Sequence, residues 1–276
     1  MTVNAHDDFA ATYGRWAVIA GASEGVGAAA AEQLAARGLD VVLLARNAEL
    51  LERVAAAIRE RHEVEVRTLR VDLTASDAVA RILGAVDGLE VGTLFYNAGA
   101  AGSSGLFTDQ ELAHAMRMIA LNCTTPTALL HALAPPMLER GRGALVLVGS
   151  TGAFSGMPYV ASYSAAKAFQ VNLCEGLWAE MHERGVHVLN AMIGSTFTPA
   201  RERRLGVRFD DAIDMTSEDV ASEILEHLDD GPTRVVAKLN LGTGSVAGPW
   251  NEYRSFALAK SIESVAGFNA RTNVAK

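Results

Sequence analysis

A tyrosine and a lysine stand four residues apart in the stretch YSAAK, at Tyr163 and Lys167. A helix puts side chains with this spacing on one face. A free phenol, with a pKa of about 10, is a poor base at neutral pH, but a nearby ammonium favours the phenolate and lowers that pKa. The phenol could then give a proton to a carbonyl oxygen or take one from an alcohol. Tyr159, with no basic residue four positions later, is the poorer candidate.

The tyrosine–lysine pair alone is common in helices, so the polar residues that precede it matter. Ser150 ends the apolar run ALVLVGS, and a hydroxyl there could hold a substrate oxygen against the phenol. Asn122 lies inside a predicted helix just before Thr-Thr-Pro. This is locally unfavourable, and such a break often marks a functional position. Asn97 ends another apolar run. We predict that these side chains meet at one edge of a sheet.

A glycine-rich stretch, AGASEGVG, is here called the glycine loop (20–27). Its three glycines allow a tight turn and a close approach to a pyrophosphate, which the N-terminus of the following helix attracts. Its position after the first predicted strand favours nucleotide binding, although the spacing G-x-x-x-G-x-G departs from G-x-G-x-x-G. Glycines also precede alanine-rich helices that bind nothing, and that alternative stays open.

The end of the second apolar run bears on the choice of cofactor. An acidic residue there would bind the ribose hydroxyls of NAD, whereas Arg46 can pair with the 2′-phosphate of NADP. We therefore expect NADP(H) to be preferred over NAD(H), with an ordinary surface arginine as the alternative. Glu24, inside the glycine loop, adds a negative charge nearby and argues mildly against this preference.

The elements that must position these residues are short apolar runs alternating with amphipathic stretches. This alternation predicts repeated βαβ units and an α/β, Rossmann-like, doubly wound parallel sheet of about seven strands with helices on both faces. We expect one domain spanning 1–276, with a polar loop at 194–215 and a tail at 239–276. The predicted strands are 16–20, 41–45, 64–71, 92–97, 144–150, 186–193 and 234–237, and the predicted helices are 25–37, 47–61, 75–86, 108–134 (ending at Pro135-Pro136), 161–184, 217–229 and 251–266.

Composition narrows the possible classes of protein. The chain has 276 residues, 50% of them hydrophobic, which suits one domain with a sizeable aliphatic core. A net charge of −8 without a basic run argues against nucleic acid. Cys123 and Cys174 lack metal-site spacing, so we expect buried thiols and no metal. There is no signal-peptide pattern and no apolar run near the roughly 20 residues that span a bilayer, so we expect a cytoplasmic protein.

Together these motifs resemble the short-chain dehydrogenase/reductase family, in its compact single-domain branch. The matching motifs are AGASEGVG, VDL (71–73), YNAG (96–99), Asn122, Ser150 and YSAAK, in the family's order and spacing. The resemblance implies a catalytic tetrad of Asn122, Ser150, Tyr163 and Lys167, in which the lysine also holds the nicotinamide ribose and the asparagine helps a water-linked proton relay. It also implies cofactor contacts from Gly21, Ser23, Glu24, Gly25, Val26, Gly27, Arg46, Asp72, Leu73, Asn97, Ala98, Gly99, Tyr163, Lys167, Gly194, Thr196 and Thr198.

The chain departs from the family pattern at three positions. Ala20 stands for the threonine that opens the glycine motif, Tyr96 for the first asparagine of NNAG, and Ile193 for the proline after the sixth strand. We expect these changes to affect loop stiffness more than chemistry. Thr198 still stands where the family's threonine meets the nicotinamide carboxamide.

The substrate side of the sequence is less informative. The loop 194–215 matches the family's substrate lid, and its arginines could meet an anionic carrier such as an acyl carrier protein or coenzyme A. A solvated lid helix, with acidic residues nearby, is the preferred alternative. We expect an apolar pocket, and hence a hydrophobic ketone or secondary alcohol. The lid arginines are Arg201, Arg203, Arg204 and Arg208, and the candidate pocket residues are Ala100, Ala101, Phe154 and Met157.

Three functions compete at this stage. The leading hypothesis is an NADP(H)-dependent carbonyl reductase or alcohol dehydrogenase in which Tyr163 transfers the proton. The enzymatic alternative is a 3-oxoacyl-thioester reductase acting on an acyl carrier protein or coenzyme A thioester. The third is a non-catalytic NADP-binding sensor or scaffold, against which the intact Ser150, Tyr163 and Lys167 argue. The family uses its two long helices as oligomer faces, so we expect a homodimer or homotetramer.

Overall fold

The computed structural model describes residues 5–99, 102, 104–238 and 244–245. Seven parallel strands and one short antiparallel strand form a single sheet in the order β3-β2-β1-β4-β5-β6-β7-β8. This confirms the predicted Rossmann-like α/β fold. The strands are β1 (Trp16–Ala20), β2 (Asp40–Ala45), β3 (Val66–Arg70), β4 (Val91–Tyr96), β5 (Gly143–Val148), β6 (Val186–Ile193), β7 (Thr233–Val236) and β8 (Gly244–Ser245).

Helices cover both faces of the sheet. Side chains of α2, α3 and α9 share one hydrophobic core with the strands, and those of α4, α6 and α7 share another. The nine α-helices of the described residues are α1 (Ala5–Tyr13), α2 (Gly25–Ala36), α3 (Ala48–Arg61), α4 (Ala78–Ala85), α5 (Leu112–Ile119), α6 (Thr125–Arg140), α7 (Ala161–Met181), α8 (Pro199–Leu205) and α9 (Ser217–Glu226).

The first strand shows why the apolar runs are continuous rather than alternating. Ala17 and Ile19 point into the core beneath α2, while Trp16, Val18 and Ala20 point into the core on the opposite side. All five are buried. A parallel sheet with helices on both faces leaves no solvent side for a polar residue in a central strand.

The strand order reverses at β1. This strand pairs in parallel with β2 on one side and with β4 on the other. The helices that follow these neighbours therefore lie on opposite faces, which opens a crevice at the carboxyl ends of the strands. The glycine loop follows β1 and lies at that crevice.

The long helix predicted for 108–134 is wrong in its bounds and its continuity. The structure has α5, then a π-helical turn at Ala120–Thr124, then α6, which ends at Arg140. Pro135 and Pro136 lie inside α6 rather than after it. The helix tolerates them because both prolines face solvent, where water can bind the carbonyl oxygens left without a donor, while Met137 on the other face is buried.

The polar loop at 194–215, here called the lid, lies between β6 and α9. The lid contains a short helix, α8, that begins at Pro199 after the capping residue Thr198. The predicted helix at 251–266 and nearly all of the tail lie outside the described residues. Within the described part of the chain, no helix has both the length and the apolar character needed to cross a membrane.

Candidate active site

The tyrosine and lysine of the YSAAK motif lie in the first turns of α7. Tyr163 donates its main-chain N–H to Val160, so it lies at the N-terminal end of the helix, and Lys167 follows one turn later. Lys167 is only 2% exposed, and its Nζ donates to the Val148 carbonyl oxygen at 2.7 Å. The same Nζ lies 5.8 Å from the centre of the Tyr163 ring. The helix therefore puts both groups on one face beside β5, as the spacing predicts.

Ser150 comes at the end of β5, where it reaches the same face. Its hydroxyl oxygen accepts the Gly152 N–H at 3.1 Å, and this oxygen and the edge of the Tyr163 ring both lie next to Gly152. The extended backbone at Ser150 ends the strand and starts a 3₁₀ turn at Thr151–Ala153, with this side chain as its cap. Tyr163 and Ser150 thus lie close together, which is the arrangement that a shared substrate oxygen requires.

The pKa of Tyr163 is raised, not lowered as we expected from the sequence. Burial is the largest cause, and it is opposed by the hydrogen bond with Ser150 and by the charge of Arg204 on α8. Burial also lowers the pKa of Lys167 to about 7, against the charge of the half-buried Cys123. The expectation was wrong because both groups of the pair lose hydration, which penalises the charged form of each.

Asn122 lies in the π-helical turn between α5 and α6 and is fully buried. Its amide Nδ2 donates to the Met118 carbonyl oxygen at 3.0 Å, and its Oδ1 has no partner among the described residues. The Asn122 carbonyl oxygen receives no α-helical hydrogen bond from residue 126, which is a proline, and it accepts the side-chain amide of Gln170 at 2.9 Å. The local break read from ALNCTTP is therefore a π turn, a feature frequent at functional sites.

The glycine loop forms a cradle at the opposite end of the crevice. Gly21 and Gly25 have φ values of +85° and +62°, which only glycine adopts readily. A Cβ at Gly27 would overlap the Gly21 carbonyl oxygen. Asn97 clamps the loop by donating from Nδ2 to that same carbonyl oxygen at 3.2 Å. No side chain caps the N-terminus of α2, where Glu24 stands at the N-cap, so its first N–H groups are available to an anion.

A groove with a cavity volume of about 420 Å³ runs along this edge of the sheet. Most of the predicted cofactor residues line it, which supports a site shaped for a dinucleotide. The predicted residues that line the groove are Gly21, Ser23, Glu24, Gly25, Val26, Arg46, Asp72, Leu73, Asn97, Ala98, Gly99 and Thr198.

The remaining predicted cofactor residues do not line the groove but lie next to it. Gly27 supports the loop from below, Gly194 packs against Ala237, and Thr196 lies at the start of the lid. Tyr163 and Lys167 lie on α7, next to the end of the groove at Gly99, where a Cβ would come within 2.8 Å of the Lys167 Nζ. This contact explains the need for glycine at the end of YNAG.

Sequence reasoning missed a set of groove residues on α5 and beside Asp72. Thr74 donates twice to Asp72, and these bonds, which together outweigh the effect of burial, lower the pKa of that carboxyl. The helical spacing i, i+3, i+4, i+7 could have grouped the others, but nothing in the sequence aims that face at the crevice. The additional groove residues on this side are Thr74, His114, Arg117, Met118 and Leu121.

Arginines surround the groove where β2 ends. Arg46, Arg70 and Arg203 line a second cavity of about 610 Å³ together with Glu24. The Arg203 Nη2, on α8, lies 2.7 Å from each carboxylate oxygen of Glu24. The negative charge that argued against a 2′-phosphate is therefore paired with a lid arginine.

Two other lid arginines are also engaged within the protein. Arg201 pairs with the buried carboxylate of Asp214 at 2.5 Å, and Arg204 donates to the Gly102 carbonyl oxygen at 2.9 Å. Burial of Asp214 raises its pKa, but hydrogen bonds from Ser195, from the Asp210 N–H and from Arg201 outweigh burial and lower the pKa below its usual value. These contacts favour a structural role for the lid arginines over an anionic carrier.

The predicted apolar pocket is only partly supported. Phe154 is fully buried in a small core with Val171 and Met192, so it does not face a substrate, and that assignment is wrong. Sequence could not show this, because the 3₁₀ turn after Ser150 decides which side chain turns inward. Met157 is half-buried next to Gly152 and near Tyr163. Ala100 and Ala101 lie outside the described residues.

The residues present fit a nicotinamide dinucleotide. The cradle at Gly21, Gly25 and Gly27 leaves no room for side chains, and the open N-terminus of α2 offers donors for a pyrophosphate. The buried Asn122 Oδ1 and the Lys167 ammonium lie at the far end, beside Gly99. In the described part of the chain, no group of three or more His, Cys, Asp or Glu side chains could hold a metal ion.

Comparisons with known proteins agree with this geometry. Residues 15–205 match the family model of short chain dehydrogenases. The chain is 36% identical over 192 residues to a 7beta-hydroxysteroid dehydrogenase of Clostridium sardiniense, covering 70% of this chain and 73% of that protein. It is 32% identical over 187 residues to a very-long-chain 3-oxoacyl-CoA reductase of Danio rerio, covering 66% of this chain and 60% of that protein. A Sphingobium yanoikuyae short-chain dehydrogenase solved with NADPH superposes with a TM-score of 0.74 at 33% identity, covering 80% and 87% of the two chains.

The chain belongs to the short chain dehydrogenase family. It is an oxidoreductase that uses a nicotinamide cofactor to interconvert a carbonyl group and an alcohol.

Proposed function

We propose that this enzyme uses NADP(H) to interconvert a bulky, apolar ketone and the corresponding secondary alcohol, with Tyr163 as the acid and base. The observation that carries the proposal is the meeting of three side chains beside the end of the glycine-lined groove. Tyr163 and the buried Lys167 share one face of α7, with the Lys167 Nζ 5.8 Å from the centre of the Tyr163 ring, and Ser150 lies next to them across Gly152. The bound nicotinamide supplies or accepts the hydride at the substrate carbon.

The side chains divide the remaining work. In the reduction direction, Ser150 donates a hydrogen bond to the carbonyl oxygen, and Tyr163 gives that oxygen its hydroxyl proton and becomes a phenolate. In the oxidation direction, the phenolate takes the alcohol proton. Lys167 holds the ribose side of the cofactor and supports the phenolate when it carries its proton. Asn122 keeps the π turn in position against Lys167.

The preference for NADP(H) follows from charge at the end of β2. Arg46 and Arg70 offer guanidinium groups to a 2′-phosphate, and Arg203 offsets the carboxylate of Glu24. A guanidinium pairs well with phosphate, and an unpaired carboxylate would repel it. A solved relative bound to NADPH agrees with this preference.

The substrate class rests on the surface near the site and on the relatives. Leu205 and Phe209, in the lid, are 40% and 41% exposed, and Met157 is half-buried near Tyr163. Of these three residues Met157 lies near Tyr163, and the two exposed side chains belong to the lid; apolar side chains of this kind suit a large apolar substrate. One relative is named a 7beta-hydroxysteroid dehydrogenase, and a steroid is a large, mostly apolar molecule, which supports this substrate class.

A second candidate is a 3-oxoacyl-thioester reductase, because a relative carries that name. The engagement of Arg201, Arg203 and Arg204 within the protein weighs against a lid that binds an anionic carrier. If thioester reduction occurs, replacing Arg203 and Arg204 together should leave its KM unchanged. A raised KM for the thioester, with unchanged KM for a plain ketone, would restore the carrier hypothesis.

An assembly of two or four copies is also proposed. Leu112, Met116 and Ile119 on α5 and Phe169 on α7 are exposed apolar side chains on neighbouring helices. Burying them against a second copy would remove them from water. The single-domain organisation of 1–276 and the cytoplasmic location stay predictions.

The test compares turnover of a ketone panel by the wild type and Tyr163→Phe, with Tyr159→Phe as the matched control. Removing the transferable proton should reduce kcat by roughly 10²- to 10⁴-fold, while the dissociation constant of NADPH stays within about twofold of wild type. Tyr159→Phe should keep full turnover. A Tyr163→Phe variant that turns over normally would contradict the assignment. Tight NADPH binding by the wild type without turnover of any ketone would favour a sensor.

A further inference from the structure

A buried glutamine joins two members of the tetrad. Gln170 lies on α7, three residues after Lys167 and seven after Tyr163, so all three side chains share one helical face. The Gln170 Oε1 accepts a hydrogen bond from the Lys167 Nζ at 3.1 Å. Its Nε2 donates to the Asn122 carbonyl oxygen at 2.9 Å. The amide thus bridges the lysine and the π turn with both of its ends.

This position is unusual for an amide. Gln170 is fully buried, as are Lys167 and Asn122 to within 2%. A buried position on a helix is ordinarily filled by an apolar side chain, because an amide costs free energy unless both its donor and its acceptor are satisfied. Here both are satisfied, and both partners belong to the catalytic site rather than to the general core.

The bridge determines how the lysine can act. An ammonium has three N–H donors. One goes to the Val148 carbonyl oxygen and a second to Gln170, which leaves one for the cofactor and for Tyr163. The titratable groups that face Lys167 are Tyr163 on α7 and Cys123 on the π turn. The Gln170 amide and the Val148 carbonyl do not titrate. Their two hydrogen bonds therefore keep the Lys167 Nζ in the same orientation as pH changes.

We propose that Gln170 is a positioning residue of this active site. Its amide links the Lys167 ammonium to the Asn122 carbonyl oxygen and occupies the space between them that a bridging water molecule could fill. A water in that position could both accept and donate a proton. A carboxamide hydrogen-bonds at both ends but does not exchange a proton on the time scale of turnover. In this chain, therefore, no proton passes between Lys167 and the Asn122 carbonyl oxygen. The inference rests on the proposed roles of Tyr163 and Lys167.

Two substitutions separate positioning from packing. Gln170→Leu keeps most of the side-chain volume but removes both polar ends and leaves no room for water. Gln170→Ala opens a space lined by the Lys167 ammonium and the Asn122 carbonyl oxygen, which is polar and can admit a water. If Gln170 only fills the core, Ala is worse than Leu in every respect, because it creates a cavity. If Gln170 positions Lys167, the order of kcat is reversed.

We expect Gln170→Leu to melt below the wild type, because it leaves a buried Lys167 N–H and the Asn122 carbonyl oxygen unpaired, and to lose roughly 10- to 100-fold in kcat, the scale of a small misplacement of catalytic groups. Gln170→Ala should melt at a lower temperature and yet retain more kcat than Gln170→Leu. The dissociation constant of NADPH, measured by fluorescence without substrate, should follow the same order as kcat, because the third N–H of Lys167 faces the cofactor. Crystals of Gln170→Ala should contain a water between Lys167 and Asn122.

The solvent isotope effect on kcat adds a second readout. It should rise in Gln170→Ala, where a water again links Lys167 to Asn122, and stay at the wild-type value in Thr125→Val. Thr125 is also buried next to the π turn and donates to a main-chain oxygen, that of Leu73, without touching Lys167. Thr125→Val should therefore lower the melting temperature only.

The proposal is overturned if Gln170→Leu retains kcat and NADPH affinity, or if Gln170→Ala is the poorer of the two in kcat as well as in stability. Failure of the proposed function would look different. In that case Tyr163→Phe would keep full turnover, whatever the two Gln170 variants do.

Discussion

The guanidinium of Arg203, on the lid helix α8, pairs with the carboxylate of Glu24 in the glycine loop, with Nη2 at 2.7 Å from both oxygens. The two residues are far apart in sequence and belong to different parts of the site. Their pairing neutralises an acid at the mouth of the groove and ties the lid helix α8 to the glycine loop. It also predicts how the choice of cofactor responds to charge.

Replacing Arg203 alone should weaken NADPH binding more than NADH binding, because Glu24 would then face the 2′-phosphate unpaired. We expect Arg203→Gln to raise the dissociation constant of NADPH by about 3- to 10-fold, since an exposed charge interaction is worth roughly 1 kcal/mol. The double variant Glu24→Gln/Arg203→Gln should regain most of the loss. Fluorescence titration of the wild type and both variants with NADPH and NADH measures these dissociation constants. A loss of affinity of equal size for the two cofactors would contradict this explanation.

Replacing Arg46 tests the cofactor preference itself. Arg46→Ala removes a guanidinium from the end of β2 and should raise the dissociation constant of NADPH by roughly tenfold, with little change for NADH. Arg81→Ala is a suitable control, because Arg81 lies at the edge of the same arginine group but donates to the Arg70 carbonyl oxygen. A wild-type enzyme that binds NADH more tightly than NADPH would refute the preference without affecting the proposed chemistry of Tyr163.

The buried Lys167 should lower the free energy of unfolding at neutral pH, although we propose that catalysis needs it. Burial lowers its pKa from 10.5 to about 7, so between these values the unfolded chain binds a proton that the folded chain does not. Stability therefore rises as pH increases from about 7 towards 10, and the penalty is fully present below pH 7. Lys167→Met should remove this rise and increase the melting temperature at pH 7, while turnover is lost. Melting temperatures of both proteins at pH 7 and 9.5 measure this pH dependence. A Lys167→Met variant less stable than wild type at pH 7 would contradict the prediction.

Asp214 should anchor the lid. Its carboxylate is buried and accepts bonds from Arg201, Ser195 and the Asp210 N–H. Asp214→Ala leaves these donors unpaired, and because Arg201 is partly exposed we expect a loss of roughly 1–3 kcal/mol in the free energy of unfolding. Lys238→Ala breaks the exposed pair with Asp211 in the same region, and it should cost at most about 0.5 kcal/mol.

The same carboxylate predicts a dependence on acid. The pKa of Asp214 is lowered in the folded protein, so its contribution is present above the ordinary carboxyl pKa and is lost as pH falls through the lowered value. Denaturation by urea at pH 7 and at pH 3 should therefore bring the wild type and Asp214→Ala closer together at the lower pH. An unchanged difference between them would contradict this account.

Gly27 should be intolerant of any side chain. A Cβ there would overlap the Gly21 carbonyl oxygen and press on Asn97, which would move the glycine loop that we propose binds the pyrophosphate. Gly27→Ala should therefore lose NADPH binding by at least about tenfold, the cost of more than 1.4 kcal/mol. Gly84→Ala is the matched control, since Gly84 is also helical and a Cβ there meets nothing within 4 Å. It should be neutral or stabilising by up to about 1 kcal/mol.

The order of strands and helices was accessible from sequence because each signal is local. Hydrophobic runs such as WAVIA, and the glycines at 21, 25 and 27, act through backbone and burial preferences that neighbouring residues create. The placement of Tyr163 and Lys167 side by side was accessible for the same reason, since residues four apart share a helical face wherever the helix lies. The incorrectly predicted C-terminus of the long helix shows where such local signals fail. Pro135 stops an isolated helix, but it is tolerated in α6 because it faces solvent and the opposite face is packed.

What the sequence alone determined is the fold class, the family and the position of the glycine loop, and it supplied the residues that we propose as the catalytic tetrad. What only the tertiary structure decided are contacts between distant elements: Arg203 with Glu24, Thr125 with the Leu73 carbonyl oxygen, and the amide of Gln170 with the π turn at Asn122. The same applies to the pKa of Tyr163, which depends on burial rather than on its neighbour four residues away. Local preferences are properties of a few adjacent residues, whereas burial and charge pairing depend on which segments the completed sheet brings together.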